Sequence, residues 1–238
     1  MFKKLKRYWY NLTHPKICDV WELHRVTPEN LFDEGWRPYV ISPNYLEYKI
    51  NDALQKGFRF VSVEELYAML NGECYRLLPQ KNIVITFDDG YLDNFEYAYP
   101  ILKKYNIPFC IFVAADFMLT GVQKSSNGDI AMMDANVLSL LAKDELCTIG
   151  GHTISHLKLA KLPDEQQKYE IYESLRILEK VVKNPIEYFA YPYGSYDNVT
   201  LSIINQINIK MSFAAWGGSA RKDCNLLCVP RVIISSQK

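Results

Sequence analysis

The stretch Ile83-Val-Ile-Thr-Phe-Asp-Asp-Gly90 constrains this chain more than any other. An apolar, β-branched run that ends in two carboxylates and a glycine reads as a buried strand delivering acids to its C-terminal end, the rim where α/β enzymes keep their chemistry. About sixty residues later stands His152-Thr-Ile-Ser-His156. If that segment turns helically, the spacing of four puts both imidazoles on one face, within reach of one ion. An aspartate then completes a two-histidine, one-carboxylate set that leaves coordination positions open for water and substrate. Each motif has a plainer reading: an Asp-Asp pair after a strand is commonly a solvated turn or helix cap, and a His-x-x-x-His pair is commonly surface. Their conjunction in one chain carries the argument.

Periodicity orders the rest. Strands are expected over 19–24, 59–62, 83–87, 108–113, 147–151, 188–191, 211–215 and 229–234. Helices are expected over 43–56, 63–70, 94–105, 164–183 and 197–207, with another starting near Asp134 that places Val137, Leu138 and Leu141 on one side. Strands separated by helices imply parallel pairing with right-handed crossovers, so the fold class is α/β and the pattern suits a (β/α) barrel, irregular or incomplete. With 238 residues, 49% of them hydrophobic, one core is sufficient. No Pro/Gly/Ser-rich linker or fixed-period repeat divides the chain. The expected organisation is a basic, aromatic extension over 1–17 and one catalytic domain over 18–238.

The 27 basic and 27 acidic residues cancel, which removes the electrostatic footprint of a general nucleic-acid binder. The N-terminal end is uneven: residues 1–16 carry five basic residues and no acid, interleaved with aromatic and aliphatic side chains, a composition suited to peripheral contact with an anionic membrane face. A solvated or locally packed terminus is the alternative. No nearby apolar stretch is long enough for a secretory signal or a membrane span. The six cysteines, Cys18, Cys74, Cys110, Cys147, Cys224 and Cys228, include no C-x-x-C pair and read as reduced thiols. The expected location is cytoplasmic, with contact to the inner membrane face through residues 1–16.

Thr86-Phe-Asp-Asp-Gly90 and His152-Thr-x-x-His156 together resemble the first two motifs of the polysaccharide deacetylases, carbohydrate esterase family 4, also called the NodB-homology family. The resemblance implies a distorted barrel and a divalent metal, zinc first, with Co2+, Ni2+, Mn2+ or Fe2+ as alternatives. It implies Asp88 as catalytic base and Asp89, His152 and His156 as metal ligands. Phe189-Ala-Tyr-Pro-Tyr-Gly194 is similar to the third motif, where the family commonly has Arg-x-Pro-Tyr; Ala190 and Tyr191 stand where the arginine segment would be. By position, the Tyr193 amide donates to the oxyanion and its ring lines a sugar groove, beside Tyr191. The usual C-terminal Leu-x-His is absent. Val20-Trp-Glu-Leu-His-Arg-Val26 instead resembles the circularly permuted branch that includes poly-N-acetylglucosamine deacetylases, which implies His24 as the leaving-group acid. Cys228-Val-Pro-Arg-Val-Ile-Ile234 resembles that branch's terminal strand, with Arg231 orienting Asp88 and holding it ionised. Trp216 is a candidate for stacking on a sugar face.

The reaction so implied removes N-acetyl groups from an N-acetylated carbohydrate and releases acetate. Two rivals stand beside it: hydrolysis of non-peptide C–N bonds in small amides, and a non-catalytic carbohydrate-binding relative.

Overall fold

The computed structural model describes residues 16–31, 39–73, 81–124 and 128–235. Strands β1 (Lys16–Leu23), β2 (Arg25–Val26) and β3 (Val40–Ile41) lead into helix α1 (Pro43–Gln55), β4 (Arg59–Phe60) and α2 (Val63–Leu70). Next come β5 (Asn82–Phe87), α3 (Tyr99–Lys104), β6 (Phe109–Val113), α4 (Ala115–Thr120), the short strands β7 (Val122–Gln123) and β8 (Ile130–Ala131), and α5 (Ala135–Leu141). Then follow β9 (Cys147–Gly151), α6 (Asp164–Val182), β10 (Tyr188–Ala190), α7 (Asn198–Asn205), β11 (Met211–Phe213), β12 (Ala220–Arg221) and β13 (Val232–Ile233). The N-terminal extension as far as residue 15, with its expected membrane contact, lies outside the described residues, as does Cys74. The other five cysteines are free thiols. Among the described residues no helix is long and apolar enough to cross a membrane.

The main sheet runs β11-β10-β9-β6-β5-β1, every neighbouring pair parallel, with β12 antiparallel against the start of β1 and β4 parallel to the start of β5. The segment 229–233 curls this sheet towards a barrel. Its first residue bridges Phe213 of β11 in parallel, and its last two form β13, which pairs parallel with Trp21 and Glu22 of β1. Pro230 has no N–H to continue a ladder, so the strand expected over 229–234 is broken into a handover from one sheet edge to the other.

Alternation along the strands separates two layers. Ile83, Ile85 and Phe87 of β5 face outward and pack with helix residues such as Leu46, Ile50 and Leu102. Val84 faces the interior with Val20, Phe112 and Phe213. All six residues of β5 are buried, the polar Asn82 and Thr86 among them. Interior packing also fixes Gly150: a Cβ there would lie 2.4 Å from the Phe112 ring.

Two local expectations are corrected, and further short elements appear. The helix expected over 94–105 opens as a π-type turn, Asn94–Ala98, before α3, with Tyr99 N–H reaching back to Asn94 O. Pro100 cannot donate into an α-helical ladder and its ring crowds the preceding turn, which accounts for the wider opening. The histidine segment is not a helical turn: Thr153 and His156 both have left-handed backbones, with φ of 65° and 55°. Helix α4 and the β7/β8 hairpin were not read from periodicity, being too short to show one.

Replacing Gly150 by alanine is expected to destabilise the protein by about 1–3 kcal/mol, because the added methyl overlaps Phe112. Urea denaturation of the variant checks this, and a midpoint equal to wild type would contradict it.

Candidate active site

The chemistry-bearing residues collect at the C-terminal ends of the parallel strands. Asp88 continues the inward series Val84, Thr86 beyond the end of β5, and its N–H donates to Leu23 O at 2.9 Å. Asp89 does not simply continue the strand's alternation. Its φ of 74° turns the chain left-handed, a conformation Asp tolerates better than most residues, and Gly90 follows at 88°. The turn sends two adjacent carboxylates into two different sets of partners.

Asp89 meets the histidines. Its Oδ1 lies 3.3 Å from His152 Nε2 and 3.0 Å from His156 Nε2. His152 Nδ1 is 2.7 Å from the Ala190 carbonyl. That carbonyl can only accept, so Nδ1 carries the proton and the Nε2 lone pair is free to face Asp89. The position where the family commonly has arginine therefore acts here through its backbone. Asp89 Oδ1 is buried without a hydrogen bond of its own. An orphaned carboxylate oxygen between two imidazole nitrogens, with all three donor atoms within 4.8 Å of one another, fits a divalent cation. Burial pushes the Asp89 carboxyl up, but His156, His152 and His24 outweigh it and hold it well below the usual carboxylate range. Burial pulls His156 down, and Asp89 outweighs this, leaving its imidazole above its ordinary value.

Asp88 meets Arg231. Nη1 donates to Oδ1 and Nη2 to Oδ2, both at 2.7 Å, while Nη1 also reaches Thr86 Oγ1 at 3.1 Å and Nε donates to Ala214 O at 2.8 Å. Burial raises the Asp88 carboxyl, and the guanidinium more than reverses this, holding it below the ordinary carboxylate value. His24 stands just past β1, its carbonyl accepting from Asn94 Nδ2 at 2.8 Å. Burial lowers its imidazole pKa against the pull of Asp89 and Asp88.

Sequence reasoning missed Glu22. It is 2% exposed and faces the same cavity two residues before His24, with Oε2 3.4 Å from Arg231 Nε but without a hydrogen bond. Glu22, His24 and Asp88 place donor atoms within 4.8 Å of one another. Burial pushes the Glu22 carboxyl up to about 8 despite Arg231. The inward alternation of Cys18, Val20 and Glu22 along β1 was the available signal.

An open cavity of about 630 Å³ joins both sets. His24, Asp88, Asp89, His152, His156, Tyr193 and Trp216 all line it. The Tyr193 ring lies 4.6 Å from that of His156 and carries the Lys158 ammonium 4.9 Å from its centroid. Tyr39, unremarked in the sequence, adds a ring 5.0 Å from His24. Tyr191 is the correction: it is fully buried, outside the cavity, and its hydroxyl donates to Leu227 O at 2.7 Å, so it belongs to the core and not to a sugar groove. Cys224 and Cys228 belong to no metal-ligand group among the described residues.

A curled parallel sheet with this rim is the barrel of the polysaccharide deacetylases. Residues 76–212 match the polysaccharide deacetylase family model, and the chain belongs to that family. Asp88, Asp89, His152, His156 and Tyr193 fall inside the match; His24 and Arg231 lie outside it. The chain is 28% identical over 179 residues to YxkH, a polysaccharide deacetylase homologue of Bacillus subtilis, covering 75% of this chain and 60% of that one. It is 28% identical over 207 residues to the poly-beta-1,6-N-acetyl-D-glucosamine N-deacetylase of Staphylococcus aureus, covering 83% of this chain and 68% of the relative. Among solved structures it resembles the Streptococcus pyogenes deacetylase PplD in complex with acetate, with a TM-score of 0.79, 25% identity and 93% of each chain covered.

Because Glu22 is raised from an ordinary 4.5 to about 8, the folded metal-free protein keeps a proton that the unfolded chain releases in this window. Stability from this group is therefore full below about 4.5 and lost as pH rises through about 8. Glu22→Gln, permanently uncharged, is expected to flatten that decline in urea denaturation between these pH values. An unchanged slope would contradict the assignment.

Proposed function

We propose that this chain is a divalent-metal-dependent hydrolase that removes N-acetyl groups from an N-acetylated carbohydrate and releases acetate. The observation that carries the reading is the meeting, in one cavity, of the Asp89, His152, His156 set with an Asp88 carboxylate clamped by Arg231. Asp89, His152 Nε2 and His156 Nε2 would hold the cation, which when bound supplies Lewis acidity toward the amide carbonyl and lowers the pKa of water. Zinc suits the two-imidazole, one-carboxylate set best, with cobalt, nickel, manganese or iron as alternatives.

This chain's own residues do the rest. Asp88 takes a proton from the attacking water, and Arg231 keeps it ionised for that task. The Tyr193 amide donates to the oxygen that gains charge as the carbonyl carbon becomes tetrahedral. His24 gives a proton to the departing nitrogen, the C–N bond breaks, and the amine and acetate separate. Its lowered pKa makes it a readier donor once charged. Tyr193 and Trp216, 52% and 62% exposed at the cavity mouth, with Tyr39, offer faces on which a sugar ring stacks. The name of the S. aureus relative makes β-1,6-linked N-acetylglucosamine oligomers the first substrate to try.

Acetate release from such oligomers is expected to need a divalent metal, to be abolished by chelation and to return on adding Zn2+. His24→Ala is expected to lower kcat by about 10²–10⁴-fold, and Asp88→Asn by at least as much. Activity that survives chelation, or persists in Asp88→Asn, would count against the reading. Sugar binding without turnover in metal-replete protein would favour the non-catalytic rival.

Arg231→Met should move the acidic limb of the kcat/KM profile to higher pH, since Asp88 loses the charge that lowers it. An active variant with the wild-type limb would remove that role from Arg231.

A further inference from the structure

Two of the three cation ligands sit on the loop 152–156, whose backbone is left-handed at two non-glycine residues, Thr153 and His156. Such conformations persist only where surrounding contacts impose them. Contacts come from two sides. The N–H groups of Ala115 and Asp116, at the start of α4, donate to the carbonyls of Thr153 and Ile154, both at 3.0 Å. From the opposite direction, Glu170 Oε2 accepts the N–H groups of Ile154 and Ser155 at 3.0 and 2.9 Å. Glu170 lies on the buried face of α6 and is only 3% exposed. Taking a carboxylate out of water is costly, and helix packing alone would be served better by an apolar side chain.

We propose that Glu170 is a positioning residue for the cation set, its carboxylate clamping the backbone between His152 and His156 so that both imidazoles point at Asp89. The proposal rests on the metal-dependent reading of this site. Outer contacts of this kind are worth about 10–100-fold in metal affinity where they orient ligands. A carboxylate with two N–H groups on one oxygen also explains how a loop without regular structure holds two largely buried ligands in place.

Co2+ serves as the probe, because its visible absorption reports the ligand geometry. Glu170→Met fills the volume without an acceptor, and Glu170→Gln retains one oxygen. Chelator competition should show the Met variant binding Co2+ about 10–100-fold more weakly, with an altered visible band and a wild-type far-ultraviolet circular dichroism spectrum. The Gln variant should recover part of the affinity and the band. A Met variant with wild-type affinity and band, or a Gln variant no better than Met, would overturn the proposal. In wild-type protein the Ile154 and Ser155 amides should exchange slowly with deuterium; exchange at the rate of an open loop overturns it even if neither variant folds. Wild-type protein that takes up no Co2+ would overturn both this role and the metal-dependent reading. Uptake with the expected variant pattern but no acetate release would sink only the deacetylase reading and uphold Glu170.

Discussion

The contact between Arg231 and Asp88 ties closure of the barrel to preparation of its chemistry. Arg231 belongs to the segment that passes from β11 to β1, and its guanidinium is wholly buried among Ala214 O, Thr86 Oγ1 and both oxygens of Asp88. Its charge lies over the interior rings of Phe112 and Phe213, 5.7 and 6.0 Å from their centroids. Removing one partner of a buried pair typically costs about 3–5 kcal/mol, because the other charge is left without compensation. Here the uncompensated group would be Asp88, with Glu22 beside it. The guanidinium that joins the closing segment to β5 is thus the same group that keeps a candidate base ionised in a site that would otherwise neutralise it.

Around that pair the rim divides into two electrostatic compartments. Asp88, Glu22 and His24 share one cation supplied by the protein. Asp89 faces the imidazoles of His152 and His156 with no guanidinium or ammonium of the described residues beside them, and its Oδ1 is left without a hydrogen bond. Two adjacent aspartates can serve such different surroundings because the chain turns left-handed between them, at the second. The sum is a cavity where one carboxylate is ionised and already paired with a guanidinium, and the other has room for an ion. That is the division of labour a metal-assisted hydrolase requires.

How legible this was depended on the range of the interaction. Helix α2 and β9 match the expected 63–70 and 147–151 to the residue, and in the structure Ser62 and Glu65 form a capping box that fixes the start of α2. The inward run ending at Asp88 followed from a period of two. Asp89, His152, His156, Asp88, His24 and Arg231 were found by motif, and the structure brings all six to one rim. What sequence could not show depends on contacts between distant segments. Glu170 is an unremarkable acid in a helix until its oxygen meets two amides of another loop. Glu22 passes for an ordinary strand residue until burial sets it beside Arg231. Tyr191 has the right neighbours in sequence for a sugar groove, yet alternation sends it outward into the core, where its hydroxyl donates to the Leu227 carbonyl. The histidine loop defeated the helical reading because spacing of four says nothing of the left-handed residues that create it.

Anomalous diffraction from crystals grown with Zn2+, collected on both sides of the zinc absorption edge, addresses the central claim most directly. One strong peak bonded to Asp89, His152 Nε2 and His156 Nε2, with Asp88 still clamped by Arg231 beside it, is the expected result. A zinc peak elsewhere, with the three side chains turned apart, would contradict the claim that this rim is built around a cation.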